Sequence, residues 1–441
     1  MEVRCDRPIA GTTKPVELVD HGLVVRRGRM LRHHGPALAA AVAAVGPGLM
    51  VMLADTDAGS IVTAAQSGAR WGYQMILLQI LLIPVLYLVQ EVAVRLGIAT
   101  RKGHGELIRE RFGYGWAFLS VSTLFLAALG ALVTEFAGIS AVGQLFGVPP
   151  WLGVSSATLL LIAIGLTGSY QRFERVGIAV GLFELLFLPA ALMAHSSTEA
   201  VLAGVQSIPL ADPDYLFLLA ANVGAVIMPW MVFYQQNAVI DKKLTLKQLK
   251  SARLDTLAGS IVTQLVMIAV IAATAATIGR TNPARPLNDI QQIAIALEPF
   301  LGWGGARVAF GLGIVGASFV AALVVSAAAS GAMSEAFGLP HSLDSQLREA
   351  PWFYLAYTVA LVGGAALVLS GLPLVTLTID VEVMNAVLLP VVLGFLLVLE
   401  ARVLPDGLRM KGVHRYAVWS LSGVVMLFGL LVTAHILVPG L

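Results

Sequence analysis

The chain has 441 residues, of which 58% are hydrophobic and only 12% are charged. Soluble domains contain about 25% charged residues, and a soluble protein of this length could not bury so much apolar surface. The composition excludes an ordinary soluble protein, and the net charge of +2 indicates no nucleic-acid partner. Membrane lipid is the solvent that fits, so we expect an all-α integral membrane protein.

Residues 1–36 form a polar, basic segment that we expect to be a cytoplasmic N-terminal tail. Four arginines between Arg26 and Arg32 directly precede the first apolar stretch. No signal peptide is predicted, because the basic stretch is long and no short cleavable apolar core follows it. The only cysteine, Cys5, lies in this tail, so we expect neither a disulfide framework nor a cysteine-based metal or redox site.

About twenty apolar residues cross the hydrocarbon core as a helix. Stretches of this kind predict eleven membrane spans, numbered here in chain order: 37–68, 72–98, 114–145, 150–168, 174–194, 214–240, 254–279, 303–334, 352–372, 375–401 and 414–437. Lys and Arg are concentrated in alternate loops, beginning with the loop after span 2, which predicts a cytoplasmic N-terminus. The short loops are typical of a bacterial plasma membrane protein.

Polar and helix-breaking residues interrupt two of the spans. Span 1 contains Asp55-Thr56-Asp57-Ala58-Gly59-Ser60, and span 6 contains Met228-Pro229-Trp230. Acids inside an apolar span are costly unless they face water, an ion or a partner, and proline removes a backbone donor. The breaks lie five spans apart, which indicates two inverted repeats with a binding site at the breaks. We therefore predict one repeat over 37–194, a second over 214–401, and an additional helix at 414–437.

These motifs resemble those of the NRAMP divalent-metal transporters. The first break is similar to the family motif Asp-Pro-Gly-Asn, and the second to Met-Pro-His. Further matches are Gln90-Glu91 with Arg95-Leu96-Gly97-Ile98, Arg253-Leu254-Asp255, and Asn385-Ala386-Val387-Leu388-Leu389-Pro390. The resemblance covers all eleven spans. It implies the leucine-transporter-type fold, with a 5+5 inverted repeat and broken helices 1 and 6.

Several positions depart from the family pattern, and in these the chain resembles a divergent, NRAMP-related branch. Ser60 stands for the asparagine of the first motif, Ala58 for its proline, and Trp230 for the histidine of the second. Gln235 stands at the position of a further family histidine. Gly138 stands where a family motif in span 3 has its second acid. The resemblance links Trp230, Gln235 and Gly138 to proton coupling, so both a shortened proton path and uncoupled transport remain open.

The first candidate metal ligand is Asp57, whose carboxylate would suit Mn²⁺, Mg²⁺ or Ca²⁺. The resemblance adds the main-chain carbonyls of Ala54 and Ala225. Met228 offers a thioether, and this softer donor favours Mn²⁺, Fe²⁺ or Cd²⁺ over Mg²⁺ and Ca²⁺. Ser60 offers a hydroxyl, although serine also commonly caps a helix. Taken alone, Met228 would be ordinary core packing, and its position in the break makes it a candidate.

Besides Asp57, other acids lie within the predicted membrane spans. Glu382 matches a family glutamine and either adds a carboxylate to the ion path or makes structural hydrogen bonds, whereas Asp380 should point elsewhere on the helix. Glu135 keeps the first acid of the span 3 motif and, with Asp57, is a candidate proton path. Asp55 either faces the vestibule or hydrogen-bonds within the break. Glu184 has no assigned role.

The sequence therefore predicts a secondary transporter of divalent metal ions that works by alternating access, with Mn²⁺ as first substrate and other dications accepted. One alternative is a Mg²⁺ transporter with weak or no proton coupling, and another is a sodium-coupled organic-solute symporter of the same fold. No phosphate loop, His-Glu-x-x-His motif or nucleophile–base arrangement indicates an enzyme. We expect a monomer with no cofactor besides the transported ion, and a histidine at position 104 that is solvated.

Overall fold

A computed structural model describes residues 46–194, 198–280, 287–371 and 374–437. We number its α-helices in chain order: α1 Pro47–Asp55, α2 Ala58–Trp71, α3 Ile76–Thr100, α4 His104–Phe112, α5 Tyr114–Leu145, α6 Pro150–Gly165, α7 Tyr170–Gly181, α8 Phe187–Met193, α9 Thr198–Gln206, α10 Pro213–Val226, α11 Pro229–Asp241, α12 Leu249–Thr274, α13 Gln292–Phe337, α14 Pro351–Leu369, α15 Leu374–Val403 and α16 Gly412–Leu437. A 3-10 segment at Leu182–Leu186 joins α7 to α8.

Within these ranges, nine helical segments are long and apolar enough to cross a membrane. The shorter helix α6 corresponds to predicted span 4, and the broken pair α1–α2 corresponds to span 1. All eleven predicted spans therefore have helical counterparts. The tail at 1–36 and the predicted start of span 1 at 37–45 lie outside the described residues.

Some helix boundaries differ from the predicted ones. Span 8 was expected to begin at residue 303, but α13 begins at Gln292 and is kinked at Gly302, where φ is +70°. This left-handed backbone conformation favours glycine, which has no Cβ to clash. Two short helices, α4 and α9, lie in loops where the sequence analysis predicted none.

The two broken spans lie at the centre of the helix bundle. α1 and α2 pack against α12, while α10 packs against α15. The α10–α11 pair and α13 are the most buried of the long apolar segments, and α16 is the least buried. This arrangement surrounds both breaks with protein, which is the setting in which irregular backbone is tolerated at membrane depth.

The N-terminal end of α1 is held by side chains from other spans. The main-chain N–H groups of Gly46 and Gly48 donate to Asp255 Oδ2 at 3.1 and 2.8 Å. Lys242 Nζ lies 2.8 Å from Glu174 Oε2, and both side chains lie beside Gly46. An aspartate of span 7 therefore satisfies donors that a helix N-terminus leaves unpaired.

A second buried network joins spans 2, 7 and 11. Glu91 is fully buried and meets Arg95 Nη2 at 2.6 Å, Arg253 Nε at 2.9 Å and His414 Nε2 at 3.7 Å. Glu91 and Arg95, four residues apart on α3, thus form an ion pair. Arg95 also donates to the Leu408 carbonyl, which connects the network to the loop between α15 and α16.

The expectation that His104 is solvated is wrong. The residue begins α4, but its ring is fully buried against α11. Its Nδ1 lies 3.1 Å from Gln236 Oε1, and its ring meets Phe233 edge-on with centroids 4.7 Å apart. Because burial disfavours the charged ring, the pKa of His104 is lowered to about 4, against the opposing effect of the Gln236 contact.

Candidate metal-binding site

The break in span 1 orients the carboxylate of Asp57. α1 ends at Asp55 and α2 begins at Ala58, with Asp57 in an extended conformation as the N-cap of α2. Asp57 Oδ1 accepts the main-chain N–H of Ser60 at 2.6 Å. Its Oδ2 is buried and accepts no hydrogen bond from the described residues. One oxygen therefore fixes the side chain, and the other receives no donor and would be available to a cation.

The break in span 6 presents a sulfur atom. α10 ends at Val226, and α11 begins at Pro229, a residue suited to the first helical turn. Between them, Met228 is extended and only 1% exposed. The indole N–H of Trp230 donates to Met228 Sδ at 3.1 Å. Trp230 therefore directly contacts a candidate ligand.

The hydroxyl of Ser60 connects the two breaks. Its Oγ lies 2.8 Å from the Asp55 carbonyl in span 1 and 2.8 Å from the Ala225 carbonyl in span 6. A hydroxyl donates only one hydrogen, so it can satisfy one of these acceptors at a time. The Ala225 carbonyl of span 6 therefore lies beside the break in span 1. Ala54 is buried in the last turn of α1, and it is the carbonyl of the next residue, Asp55, that meets Ser60.

Span 10 places Glu382 beside the first break. The residue is fully buried, with Oε2 accepting from Asn385 Nδ2 at 2.9 Å and Oε1 without a hydrogen bond from the described residues. A Cβ added at Gly59 would overlap Glu382 Oε1 and lie 3.2 Å from Asp57 Oδ1. A Cβ at Gly224 would overlap the Glu382 carbonyl. Glycines on both broken spans thus allow α15 to approach, whereas Asp380 is exposed.

Glu135 of span 3 caps the second half of span 1. Its Oε2 accepts the main-chain N–H of Ala58 at 3.2 Å, and its Oε1 accepts the Thr134 hydroxyl at 3.1 Å. The Asp57 carboxyl interacts directly with that of Glu135, and its charge also acts on Asp55 and Glu382. No ion pair among the described residues reaches these acids. The resulting negative charge favours a cation.

The candidate metal ligands around Asp57 belong to several chemical types. Within the described ranges, no group of three or more His, Cys, Asp or Glu side chains is arranged to hold a metal ion by itself. An ion at Asp57 would therefore depend on the thioether of Met228, the hydroxyl of Ser60 and main-chain carbonyls. Such donors become available where helices are interrupted and the carbonyls lose their intrahelical partners.

Sequence reasoning left Glu184 without a role, and the structure places it at the site. The residue lies in the 3-10 segment of span 5 and is fully buried. Its carboxylate lies beside the Thr56 hydroxyl, and the charge of Asp55 acts on it. The available signal was an acid within an apolar span, a feature that by default indicates function. Its neighbours could not be inferred, since they depend on how span 5 packs against span 1.

Two helices broken at corresponding positions of two inverted repeats define a transporter of the leucine-transporter-type fold. The model of one family, Natural resistance-associated macrophage protein-like (Nramp), matches residues 48–435, and the chain belongs to that family. This membership confirms the predicted resemblance and agrees with the expectation that the chain is not an enzyme.

Curated relatives are similar to much of the chain. A divalent metal cation transporter, MntH, of Ralstonia nicotianae is 28% identical over 286 residues, covering 62% of this chain and 64% of that protein. MntH of Yersinia pestis (strain Pestoides F) is 30% identical over 295 residues, covering 64% and 69% respectively. The alignment with the Ralstonia protein therefore spans less than two thirds of that protein's length.

Solved structures share the fold at low sequence identity. A manganese transporter of Eremococcus coleocola aligns with a TM-score of 0.71 and 18% identity, covering 91% of this chain and 88% of that one. MhsT in complex with L-phenylalanine aligns with a TM-score of 0.59 and 14% identity, covering 88% and 98%. At such identities the likeness establishes the fold and leaves the substrate to be argued from the site.

Proposed function

We propose that this protein transports divalent metal ions across a bacterial plasma membrane by alternating access. The observation that supports this most directly is the convergence of the two breaks at the Ser60 hydroxyl, 2.8 Å from carbonyls of both broken spans. The unpaired oxygen of Asp57 adds negative charge there. The names of the MntH relatives and of the Eremococcus transporter point to the same substrate class.

Mn²⁺ is the first candidate substrate. Met228 lies in the second break with its thioether buried, and a soft donor favours Mn²⁺, Fe²⁺ and Cd²⁺ over Mg²⁺ and Ca²⁺. Asp57, Ser60 and the Ala225 carbonyl would supply the oxygen donors. Glu382 would add charge from span 10 without being required as a direct ligand.

Mg²⁺ is the second candidate, and one contact favours it. The indole N–H of Trp230 already occupies the sulfur of Met228, which weakens that sulfur as a donor. The carboxylates of Asp57, Asp55 and Glu382 then dominate the site, and oxygen donors with room for retained water suit Mg²⁺. The same acids argue against an anionic organic solute as cargo.

Proton coupling would use the contact between Asp57 and Glu135. Two neighbouring carboxyl groups that are both buried cannot both remain ionised at low cost, so a proton and a dication compete for the pair. This gives a short route for a proton despite the missing family histidines. We further propose that the transporting unit is the monomer, since both breaks lie within one chain.

The test is metal flux into proteoliposomes, measured separately for Mn²⁺, Mg²⁺ and Ca²⁺ with and without a pH gradient. The variant Asp57→Asn keeps an oxygen that can accept the Ser60 N–H, so it should remain folded while losing at least about 90% of flux. The matched control is Asp380→Asn, which removes an exposed acid from span 10 and should transport at the parental rate. A folded Asp57→Asn protein with parental flux would refute the proposal.

A further inference from the structure

A cavity of about 120 Å³ runs along one face of α11. Four residues of this helix line the cavity, at the spacing of a single helical face: Tyr234, Asn237, Ala238 and Asp241. Asp241 is the last residue of α11, and the side chain of the next residue, Lys242, lies beside Gly46 at the start of α1. The cavity therefore lies at the end of the bundle where α1 begins.

The walls of this cavity suit a hydrated ion. Arg101 and Glu106 line it together with Asp241, so its lining carries charged groups of both signs. Arg101 is exposed, which indicates that the cavity reaches the surface there. Ala328 and Gly331 of α13 also line it, and these small residues leave room for several water molecules.

Tyr234 is the residue of α11 in this lining that lies nearest to the second break. Its hydroxyl donates to Met50 Sδ at 3.2 Å, and the two residues are 2% and 0% exposed. Since a helix rises about 1.5 Å per residue, Tyr234 lies about 9 Å along α11 from Met228, and Met50 lies about 7.5 Å along α1 from Asp55. The contact therefore joins the two broken spans between the metal site and the cavity.

Met50 also packs against α7. A Cβ added at Gly177 would overlap Met50 Cε, and one added at Gly181 would lie 3.1 Å from Leu53 Cβ. These two glycines, one helical turn apart, let α1 lie directly on the main chain of α7. Met50 thus occupies the space between α7 and Tyr234 of α11.

We propose that Met50 and Tyr234 form a gate on the ion path, and that the cavity is the route by which a hydrated divalent ion passes between the metal site and the surface. This inference rests on the proposed transport function and adds the residues that control passage. A thioether is a weak hydrogen-bond acceptor, so the contact can break at small cost. Movement of α1 away from α11 would separate the two side chains and connect the site with the cavity.

The experiment measures how fast a small cationic methanethiosulfonate reagent labels a single cysteine in the full chain in lipid nanodiscs. The parent is Cys5→Ser, which removes the sole cysteine of the chain. Thr56→Cys places a thiol in the first break, on the far side of the gate, and Ala328→Cys places one in the lining of the cavity. The thiol in the cavity should react faster than the thiol in the break.

Two further substitutions test the gate itself. Tyr234→Phe removes only the hydroxyl, and Met50→Leu removes the sulfur while nearly keeping the volume of the side chain. Each should raise the labelling rate of Thr56→Cys by about twofold to tenfold, the effect of one hydrogen bond. The double variant should react no faster than the faster single variant, because both substitutions remove the same contact.

The matched control is Tyr357→Phe, because the Tyr357 hydroxyl donates to the Leu161 carbonyl at 3.0 Å and its residue does not line the cavity. Thr56→Cys should react at the parental rate in this background.

The outcomes separate this inference from the transport proposal, since the labelling requires no metal. Unchanged labelling in both single variants, or effects that multiply in the double variant, would overturn the gate and leave the transport proposal intact. An Ala328→Cys thiol that reacts no faster than Thr56→Cys would overturn the cavity as the route. Faster labelling in the gate variants without Mn²⁺ flux in proteoliposomes would support the gate as an entry to the break and overturn the transport proposal.

Discussion

The main-chain N–H of Ala58 donates to Glu135 Oε2 at 3.2 Å, so a carboxylate of span 3 caps a helix of span 1. Asp57 Oδ1 caps the same helix by accepting the Ser60 N–H at 2.6 Å, which leaves the Ala58 N–H to another acceptor. Glu135 thus supplies part of the capping from another span.

We predict that Glu135→Gln folds normally, because its amide oxygen can still accept the Ala58 N–H. Glu135→Ala removes the acceptor and should lower the free energy of unfolding by about 0.5–2 kcal/mol, the range for a lost cap. Thermal melting of both variants in the same detergent would measure the difference. Equal melting temperatures for the two variants would contradict the capping role.

Ser60→Ala tests the link between the two breaks. The substitution leaves the carbonyls of Asp55 and Ala225 without the Ser60 donor and should destabilise the protein by about 1–3 kcal/mol. Its control is Ser330→Ala, because the Ser330 hydroxyl donates at 2.6 Å to the Ser326 carbonyl within its own helix. That variant should lose less than about 1 kcal/mol. A comparable fall in melting temperature for both would argue against the link.

Alanine substitutions at Gly224 and Gly59 should have different effects, the first mainly on fold stability and the second mainly on metal binding. At Gly224 an added Cβ meets backbone, the Glu382 carbonyl and the Ala386 nitrogen at 2.8 Å, so Gly224→Ala should destabilise the fold by about 1–3 kcal/mol or more. At Gly59 it meets the end of the Glu382 side chain, which can move. Gly59→Ala should therefore keep more of its stability while weakening metal binding.

Melting temperature and Mn²⁺ affinity, measured on the same samples, would separate these two effects. Gly394→Ala is the control on span 10, since a Cβ there would have no heavy atom within 4 Å. This interpretation fails if Gly59→Ala destabilises the protein more than Gly224→Ala does.

Met228 and Trp230 should change metal preference in opposite directions. Met228→Ala removes the soft donor and should reduce Cd²⁺ flux about tenfold or more, with Mg²⁺ flux changed less than about twofold. Trp230→Phe removes the N–H that occupies the sulfur and should raise the ratio of Cd²⁺ to Mg²⁺ flux. Competition flux in proteoliposomes measures both ratios. Unchanged ratios in both variants would exclude sulfur from the ion path.

Burial of His104 should make the stability of the folded protein sensitive to acid. Its folded pKa of about 4 lies below the usual value of about 6.5, because the buried ring resists protonation. The unfolded chain therefore binds the proton first, and stability falls as pH decreases from about 6.5 to about 4, by about 3 kcal/mol in all. His104→Phe should remove this dependence and the exposed control His435→Phe should keep it, as followed by melting temperature against pH.

The membrane spans and both breaks were predictable because they depend on local sequence. Hydrophobic length identified the spans, and Pro229 and the acids around Asp57 identified the interruptions. The contact of Ser60 with Ala225 was not predictable, because it joins residues 165 positions apart. Likewise, His104 has the sequence environment of a solvated loop, and it is buried because α11 and α13 pack against α4. Such contacts depend on tertiary packing that neither local composition nor helix periodicity specifies.

A carrier that opens to each side of the membrane in turn must separate some of its ion-binding atoms and keep others together. At Gly224 the main chain of α10 touches the main chain of α15 with no side chain between them, so these helices cannot slide past one another without a clash. We expect the Ala225 carbonyl and Glu382 to move as one rigid body through the transport cycle. The movement that releases the ion would then be a hinge motion of α1, the first half of span 1, away from these two helices.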